Sequence, residues 1–299
     1  MLDKEVRAVL LSGSILTVDA LGFMGPCALS PRQQYAIGWD DKTGAFVLAR
    51  GTEVVASGRV QSPALGLGAV SDCGVFALVS GTQDGSAADT VNVFDATGRK
   101  LATQRFDFNV FIVAVAAEGD FVACQLADGD VVLLDVRTAG VSWRKPANPA
   151  TGPRLLAVSL TLPPGANCVE LDLGLGRCFR IGLNGDYLDA DELLPALVET
   201  AKRSPNGLSL FYIVRERLDQ LAGRAADSNV QELMGLLQAA QRLGFRDYPS
   251  VEAAAFRAMG ELSELAGDTA AALANYETAF RLDAKVGVKR RIDALKRGR

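Results

Sequence analysis

The 299-residue chain contains no histidine. That absence removes the side chain most used for proton transfer near neutral pH and the commonest metal ligand. With it go the Ser-His-Asp and Cys-His nucleophile systems. Carboxylate and lysine chemistry remain open. Cysteine is also scarce: Cys27, Cys73, Cys124, Cys168 and Cys178, with no Cys-x-x-Cys spacing. The number is odd and each lies in or beside an apolar stretch, so free thiols in a reducing compartment are expected rather than a disulfide framework. No segment offers about 20 uncharged apolar residues, so no spanning helix is expected. The start, Met1-Leu2-Asp3-Lys4-Glu5, leads into an apolar run broken by Arg7 and Asp19, which does not read as a secretory leader. The expectation is a cytoplasmic protein.

Excess positive charge is missing too. Lys and Arg number 31 against 35 Asp and Glu, a net charge of −4, which argues against nucleic acid as an obligatory partner. The imbalance is local: the last fifteen residues carry seven Lys/Arg and one Asp, a basic tail on an acidic chain. Hydrophobic residues make up 49%, enough for a substantial core and too many for global disorder.

What is present changes character near residue 190. Before it, short runs rich in Val, Phe and Leu are separated by Gly, Asp, Asn and Pro, the signature of many short strands. After it, Ala, Leu, Glu, Arg and Gln recur with a helical period. The first region repeats. Ala28-Leu29-Ser30-Pro31 leads into Tyr35, Ala69-Val70-Ser71-Asp72 into Phe76, and Ala114-Val115-Ala116-Ala117 into Phe121. Further apolar strands follow in each unit, at 45–49 and 53–57, 90–94 and 100–104, and 131–134 and 141–144. A looser fourth unit runs through 155–162, 167–171 and 177–181. A sheet this small has two apolar faces and cannot bury either alone, so such units stack as blades.

The segments Phe94-Asp95-Ala96-Thr97-Gly98-Arg99-Lys100-Leu101 and Asp128-Gly129-Asp130-Val131-Val132-Leu133-Leu134-Asp135-Val136 resemble the strand–turn–strand of WD-repeat and quinoprotein-like β-propellers. Phe94-Asp95 and Leu134-Asp135 stand where the Trp-Asp pair would be. The resemblance covers about residues 25–188 and implies a small or partial antiparallel propeller of about four blades, in a domain spanning 1–188. Without histidine, the hydrogen-bond network of true WD repeats cannot form. Four blades leave three outcomes. The N-terminal strand completes the last blade, the helical region caps an open arc, or a second arc completes the ring in trans.

The remaining chain, 189–299, reads as an all-α domain. Acidic residues precede an apolar run at 193–202, a second helix is expected at 208–222 ending near Gly223, and a third at 230–243 capped by Asp227 or Ser228 and closed by Gly244. Residues 250–283 resemble a tetratricopeptide repeat: Phe256, Met259-Gly260, the Gly267-Asp268 turn, then Ala272, Tyr276 and Ala279. Ser263 replaces the usual large aromatic, and Asp283-Ala284 the usual Asp/Asn-Pro. Residues 285–297 follow as a capping helix, with Val288, Ile292 and Leu295 on one face and Lys289, Arg290, Arg291, Lys296 and Arg297 expected to face solvent.

Motifs for chemistry are thin. Gly66-x-Gly68 and Gly174-x-Gly176 lack a following helix and read as turns. Asp40-Asp41 and Asp128-Gly129-Asp130 do not continue into a calcium loop. Glu170-x-Asp172 reads as a solvent-facing pair on a strand. Trp39, Trp143, Phe106, Phe108 and Phe111 read as core or blade-interface aromatics. The expectation is therefore a scaffold or adaptor without catalysis, cofactor or metal, a subunit of a bacterial multiprotein assembly. Its protein partners, acidic ones among them, would meet Glu252, Phe256 and Tyr276, the cations Lys289, Arg290, Arg291, Lys296 and Arg297, or a propeller face. Two rivals stand beside it: a small-ligand sensor or enzyme using Asp40, Asp84, Asp128 and Asp130 at the propeller centre, and a self-associating protein completing a β-ring through its sheet edges.

Overall fold

The computed structural model describes residues 9–61, 65–81, 88–148, 156–221, 227–245 and 248–298. Contacts divide the chain into a β unit, whose last residue is Asp189, and a helical unit running on from Ala190.

The β unit consists of antiparallel sheets in strict chain order. The first holds β1 (Val9–Ser12), β2 (Ile15–Val18), β3 (Phe23–Leu29), β4 (Tyr35–Trp39), β5 (Ala45–Arg50) and β6 (Glu53–Arg59). The second holds β7 (Leu65–Val70), β8 (Phe76–Gly81), β9 (Asp89–Phe94) and β10 (Lys100–Arg105). The third holds β11 (Val110–Val115), β12 (Phe121–Leu126), β13 (Asp130–Asp135) and β14 (Gly140–Pro146). Among the described residues, the fourth has only β15 (Ser159–Thr161), β16 (Cys168–Asp172) and β17 (Cys178–Gly182). Successive sheets pack on one another: β7 on β3 and β4, β11 on β7 and β8, and β15 on β11 and β12. This is a partial antiparallel β-propeller of four blades, followed by an α domain.

Side-chain alternation explains the stacking. On one face of the first sheet Tyr35, Ile37, Trp39, Phe46 and Leu48 meet Val70, Phe76, Leu78 and Phe94 of the second. Phe46, Phe76 and Phe94 form a ring triangle with centroids 5.0–5.3 Å apart. The other face of the second sheet, Ala77, Val79, Val91 and Val93, meets Val115, Val122, Cys124, Val132 and Leu134 of the third. Central strands are thus apolar on both faces, so they read as continuous hydrophobic runs.

The two end faces are treated differently. The N-terminal strands do not complete the last blade; they fold back on the first. β3 pairs with β2 through residues 23–26 and with β4 through 27–29, and so crosses from one layer to the other. This lays Leu16, Val18 and Phe23 over Ala36 and Val47 on the outer face of the first blade. Gly38 makes room: a Cβ there would meet Leu16 Cδ2 at 2.7 Å and Phe23 Cε1 at 2.8 Å. At the far end, the fourth sheet has one apolar face, Leu160, Val169, Leu171, Phe179 and Ile181. Its other face carries Ser159, Thr161, Glu170, Asp172, Cys178 and Arg180, all exposed or half-exposed, together with the buried Cys168. Glu170 and Asp172 are the alternating pair read from sequence. A fourth strand is replaced by an isolated bridge, Ile181 to Tyr187, and by Arg180, which grips Asp189 through two hydrogen bonds of 2.7 and 3.0 Å. Arg180 holds the Asp189 carboxyl below its ordinary pKa.

The repeat extends, in the first three blades, to the turn between their first two strands. The N–H of Gln33 donates to Ser30 O, that of Gly74 to Ser71 O, and that of Gly119 to Ala116 O. All three residues have positive φ, 56°, 84° and 76°. Each turn leans on the one before it: Arg32 N donates to Asp72 Oδ1 at 2.8 Å, and Cys73 Sγ to Glu118 O at 3.3 Å.

The helical unit comprises α1 (Ala190–Lys202), α2 (Leu208–Leu221), α3 (Asp227–Leu243), α4 (Pro249–Leu265), α5 (Thr269–Leu282) and α6 (Lys289–Arg297). Three boundaries differ from expectation. α1 begins earlier, with Asp191 and Glu192 inside its first turn and Pro195 within it. α3 starts at Asp227, so Asp227 and Ser228 belong to its first turn. The capping helix starts at Lys289 rather than 285, because Gly287 takes a positive φ of 82° and breaks the helical path. Gly223 lies outside the described residues. No helix among the described residues is long and apolar enough to cross a membrane.

Candidate functional site

The residues singled out at the C-terminal end fall on α4, α5 and α6, and packing explains how they are held. A Cβ on Gly260 would meet the Tyr276 ring at 2.5 Å, so α4 and α5 approach over a glycine. Ala272 and Ala279 are fully buried beside it. Asp268 caps α5, its side chain accepting from Ala271 N at 2.9 Å. Ser263, in place of an aromatic, turns inward and donates to Met259 O at 2.9 Å. Val288 and Ile292 of α6 close the cluster, with Phe256, Val286 and Leu295 partly buried against it.

Tyr276 has no exposed surface. Its ring fills the core and its hydroxyl donates to Glu264 Oε2 at 2.5 Å. Arg291 Nη1 donates to both Tyr276 Oη and Glu264 Oε2, each at 2.7 Å, and its guanidinium lies 5.7 Å from the Tyr276 ring centroid. Burial and the Glu264 carboxylate push the Tyr276 hydroxyl well above its ordinary pKa. Arg257 bridges α4 to the segment before α6, donating to Glu261 at 3.0 Å and to Val286 O at 3.1 Å. Lys296 reaches Glu277 at 2.7 Å, and Arg297 Nε donates to Asp293 O at 3.1 Å.

This divides the expected partner-binding set. Tyr276 is core and presents nothing to a partner. Arg291 and Lys296 face solvent as expected, and they also tie α6 to the α4–α5 hairpin. Glu252 and Phe256 are half-exposed on α4. Lys289 and Arg290 are exposed and bond no carboxylate among the described residues. Two neighbours escaped the sequence reading. Arg281 and Lys285 are likewise exposed, and their side chains bond no carboxylate among the described residues. Arg281 has Glu277 four residues before it, a spacing that predicts a pair. The fold gives Glu277 to Lys296, which sequence spacing does not reveal.

The candidates at the propeller centre are engaged in turns. Asp40 accepts from Thr43 Oγ1 at 2.7 Å and from Lys42 N at 2.8 Å, which holds its carboxyl below the usual pKa. Asp128 and Asp130 both bind Arg144, Asp130 at 2.6 Å. Asp84 lies outside the described residues. Trp39, Trp143 and Phe106 are buried as expected, but Phe111 is 48% exposed, because the β11–β12 register shifts between Val110 and Ile112. No cluster of three or more potential metal ligands occurs among the described residues.

No family model matches the chain, and no curated protein does. Among solved structures, BamB from Moraxella catarrhalis is 18% identical, covering 54% of this chain and 47% of that one, with a TM-score of 0.38. The dihydro-heme d1 dehydrogenase NirN in complex with DHE is 20% identical over 55% of this chain and 36% of that one, with a TM-score of 0.41. A chain of the mitotic checkpoint complex is 13% identical over 60% of this chain and 58% of that one, with a TM-score of 0.42. The alignments therefore span less than two thirds of each of those chains.

Proposed function

We propose that the chain is a non-catalytic protein-interaction module, a scaffold or adaptor subunit whose helical unit docks a protein partner. The observation that carries this reading is the α4–α5 hairpin. Close approach over Gly260, with Tyr276, Ala272 and Ala279 at the tetratricopeptide spacing and a short closing helix, supports reading it as a tetratricopeptide-like repeat. Such repeats are used to present surface to other proteins. The exposed thiols Cys73 and Cys178 suit a reducing, cytoplasmic setting.

The test is absolute mass by light scattering, on the purified chain alone and after incubation with a lysate of its source. A stoichiometric heteromeric complex that survives gel filtration is expected. A chain that stays monomeric in every fraction, yet gains thermal stability from a nucleotide, sugar or metal, sinks the proposal in favour of the ligand-sensor reading. A ligand at about 100 times its Kd adds about 2.7 kcal/mol of apparent stability, well within detection. The reading as a ring completed in trans rested on exposed apolar blade faces and an unpaired sheet edge. One end face here lies under Leu16, Val18 and Phe23 and the other is largely polar, so that reading now rests on the sheet edge, and a homodimer by light scattering is its test.

A further inference from the structure

We infer that Arg281, Lys285, Lys289 and Arg290 form a docking surface for an acidic, extended protein segment. This rests on the interaction-module reading and deepens it by naming the surface and the chemistry of its partner.

The cations near the C-terminal end fall into two groups. Around the hairpin and its cap, Arg257, Arg291, Lys296 and Arg297 are all bonded within the unit. The four cations between 281 and 290 are exposed and bonded to no carboxylate among the described residues. Three structural choices keep them free. Glu277, in position to pair with Arg281, is taken by Lys296. Asp283 uses its carboxylate to accept from Lys285 N at 2.8 Å, fastening the turn rather than neutralising the lysine side chain. α6 has no acidic residue in its first turn and no side-chain cap on its N-terminus, so Lys289 and Arg290 sit against the positive end of the helix dipole. That arrangement costs stability. Four like charges held in one ten-residue stretch, two of them against the α6 dipole and with nearby carboxylates diverted, oppose stability and favour an external anion.

The kind of anion follows from the surroundings. Residues 191–284 are otherwise acidic, with fourteen Asp/Glu against nine Lys/Arg, so the patch is local and fits a short segment rather than a long polyanion. No aromatic residue lies between 281 and 290 to stack a base. The apolar face of α6 is spent on the hairpin, with Val288 and Ile292 buried, so no face remains to enter a lipid surface. Leu282, 42% exposed among the four cations, offers an apolar contact that a peptide side chain would use.

The test uses the full chain and a fluorescein-labelled peptide rich in Glu and Leu, read by anisotropy. Binding that weakens as salt rises from about 50 to about 300 mM is expected. The fourfold variant R281Q/K285Q/K289Q/R290Q should bind at least about tenfold more weakly. Neutralising Lys42, Arg59 and Arg105 on the β unit should change Kd less than about twofold. If the fourfold variant loses its helical melting transition, R281Q/K285Q, outside α6, carries the comparison, with a loss of about threefold expected. Equal binding by wild type and variant, or no binding to wild type, overturns the surface. So does tighter binding of a single-stranded oligonucleotide or of phosphatidylserine vesicles. None of these outcomes touches the light-scattering test, so the surface can fail while the module reading stands.

Discussion

The β unit and the helical unit both end a stack, and they end it by opposite means. The first blade is closed by apolar burial: a hairpin folds back and sets Leu16 and Phe23 on a glycine. The helical hairpin is closed by α6, only nine residues long and too short to be stable alone. Its apolar contacts at Val288 and Ile292 are supplemented by the Tyr276–Glu264–Arg291 hydrogen bonds and the Lys296–Glu277 pair. The lesson is about what each closure exposes. An apolar closure leaves little charge behind, whereas an ion-paired closure sorts charges into used and unused, and the unused ones become a surface.

The sharpest way to break the comparison is to remove the apolar closure. Leu16 is fully buried, so Leu16→Ala should cost about 2–5 kcal/mol. Met24 is next door on the hairpin but 72% exposed, so Met24→Ala should stay within about 0.5 kcal/mol. Both tryptophans, Trp39 and Trp143, lie in the β unit, so urea unfolding followed by tryptophan fluorescence reads that unit. Equal midpoints for the two variants would mean the hairpin is not a closure.

Next in size is the packing of blade turns. A Cβ at Gly119 would meet Cys73 Sγ and Val75 Cγ2 at 2.7 Å, and the backbone there has positive φ. Gly119→Ala should therefore cost about 1–3 kcal/mol by the same readout. A neutral result would mean successive turns are not in contact.

The period of the blades was legible in sequence because it is written in local features: Tyr35, Phe76 and Phe121 opening the second strand, and turns carrying Asp and Gly. The fold-back of residues 9–29 was not legible. Which sheet a strand joins is decided by long-range burial, and an apolar strand fits the first blade or the last equally well by pattern. The same limit governed the candidate site. Gly260, Ala272 and Tyr276 were visible from spacing, but the burial of Tyr276 and the diversion of Glu277 to Lys296 depend on where α6 lands. Spacing along one helix predicts partners only within that helix.

The ion-paired closure has its own probe. Tyr276→Phe keeps the ring and removes the hydroxyl between Glu264 and Arg291, so a loss of about 1 kcal/mol is expected in helical melting at 222 nm. Its pH dependence has a definite sign. The folded tyrosine holds its proton above the ordinary pKa, so its contribution is complete below about pH 10 and is lost as pH rises beyond that. Wild type should lose helical stability above about pH 10, and Tyr276→Phe should lose less. Parallel alkaline profiles would remove the hydroxyl from the closure.

The smallest effect should carry the opposite sign. Gln33 occupies the turn position that is glycine in the next two blades, with φ 56° and its side chain exposed. A left-handed conformation costs a non-glycine residue about 1–2 kcal/mol. Glycine returns part of that through its greater unfolded freedom, about 0.5–1 kcal/mol. Gln33→Gly should then stabilise the β unit by about 0.5 kcal/mol, opposite in sign to Gly119→Ala at the equivalent position. The Ser30 hydroxyl, which accepts from Gln34 N at 3.0 Å and Tyr35 N at 3.2 Å, holds this first turn without help from the Gln33 side chain. A loss on Gln33→Gly would mean that the first turn is selected for its glutamine, and that the turn between the first two strands is not one repeated element.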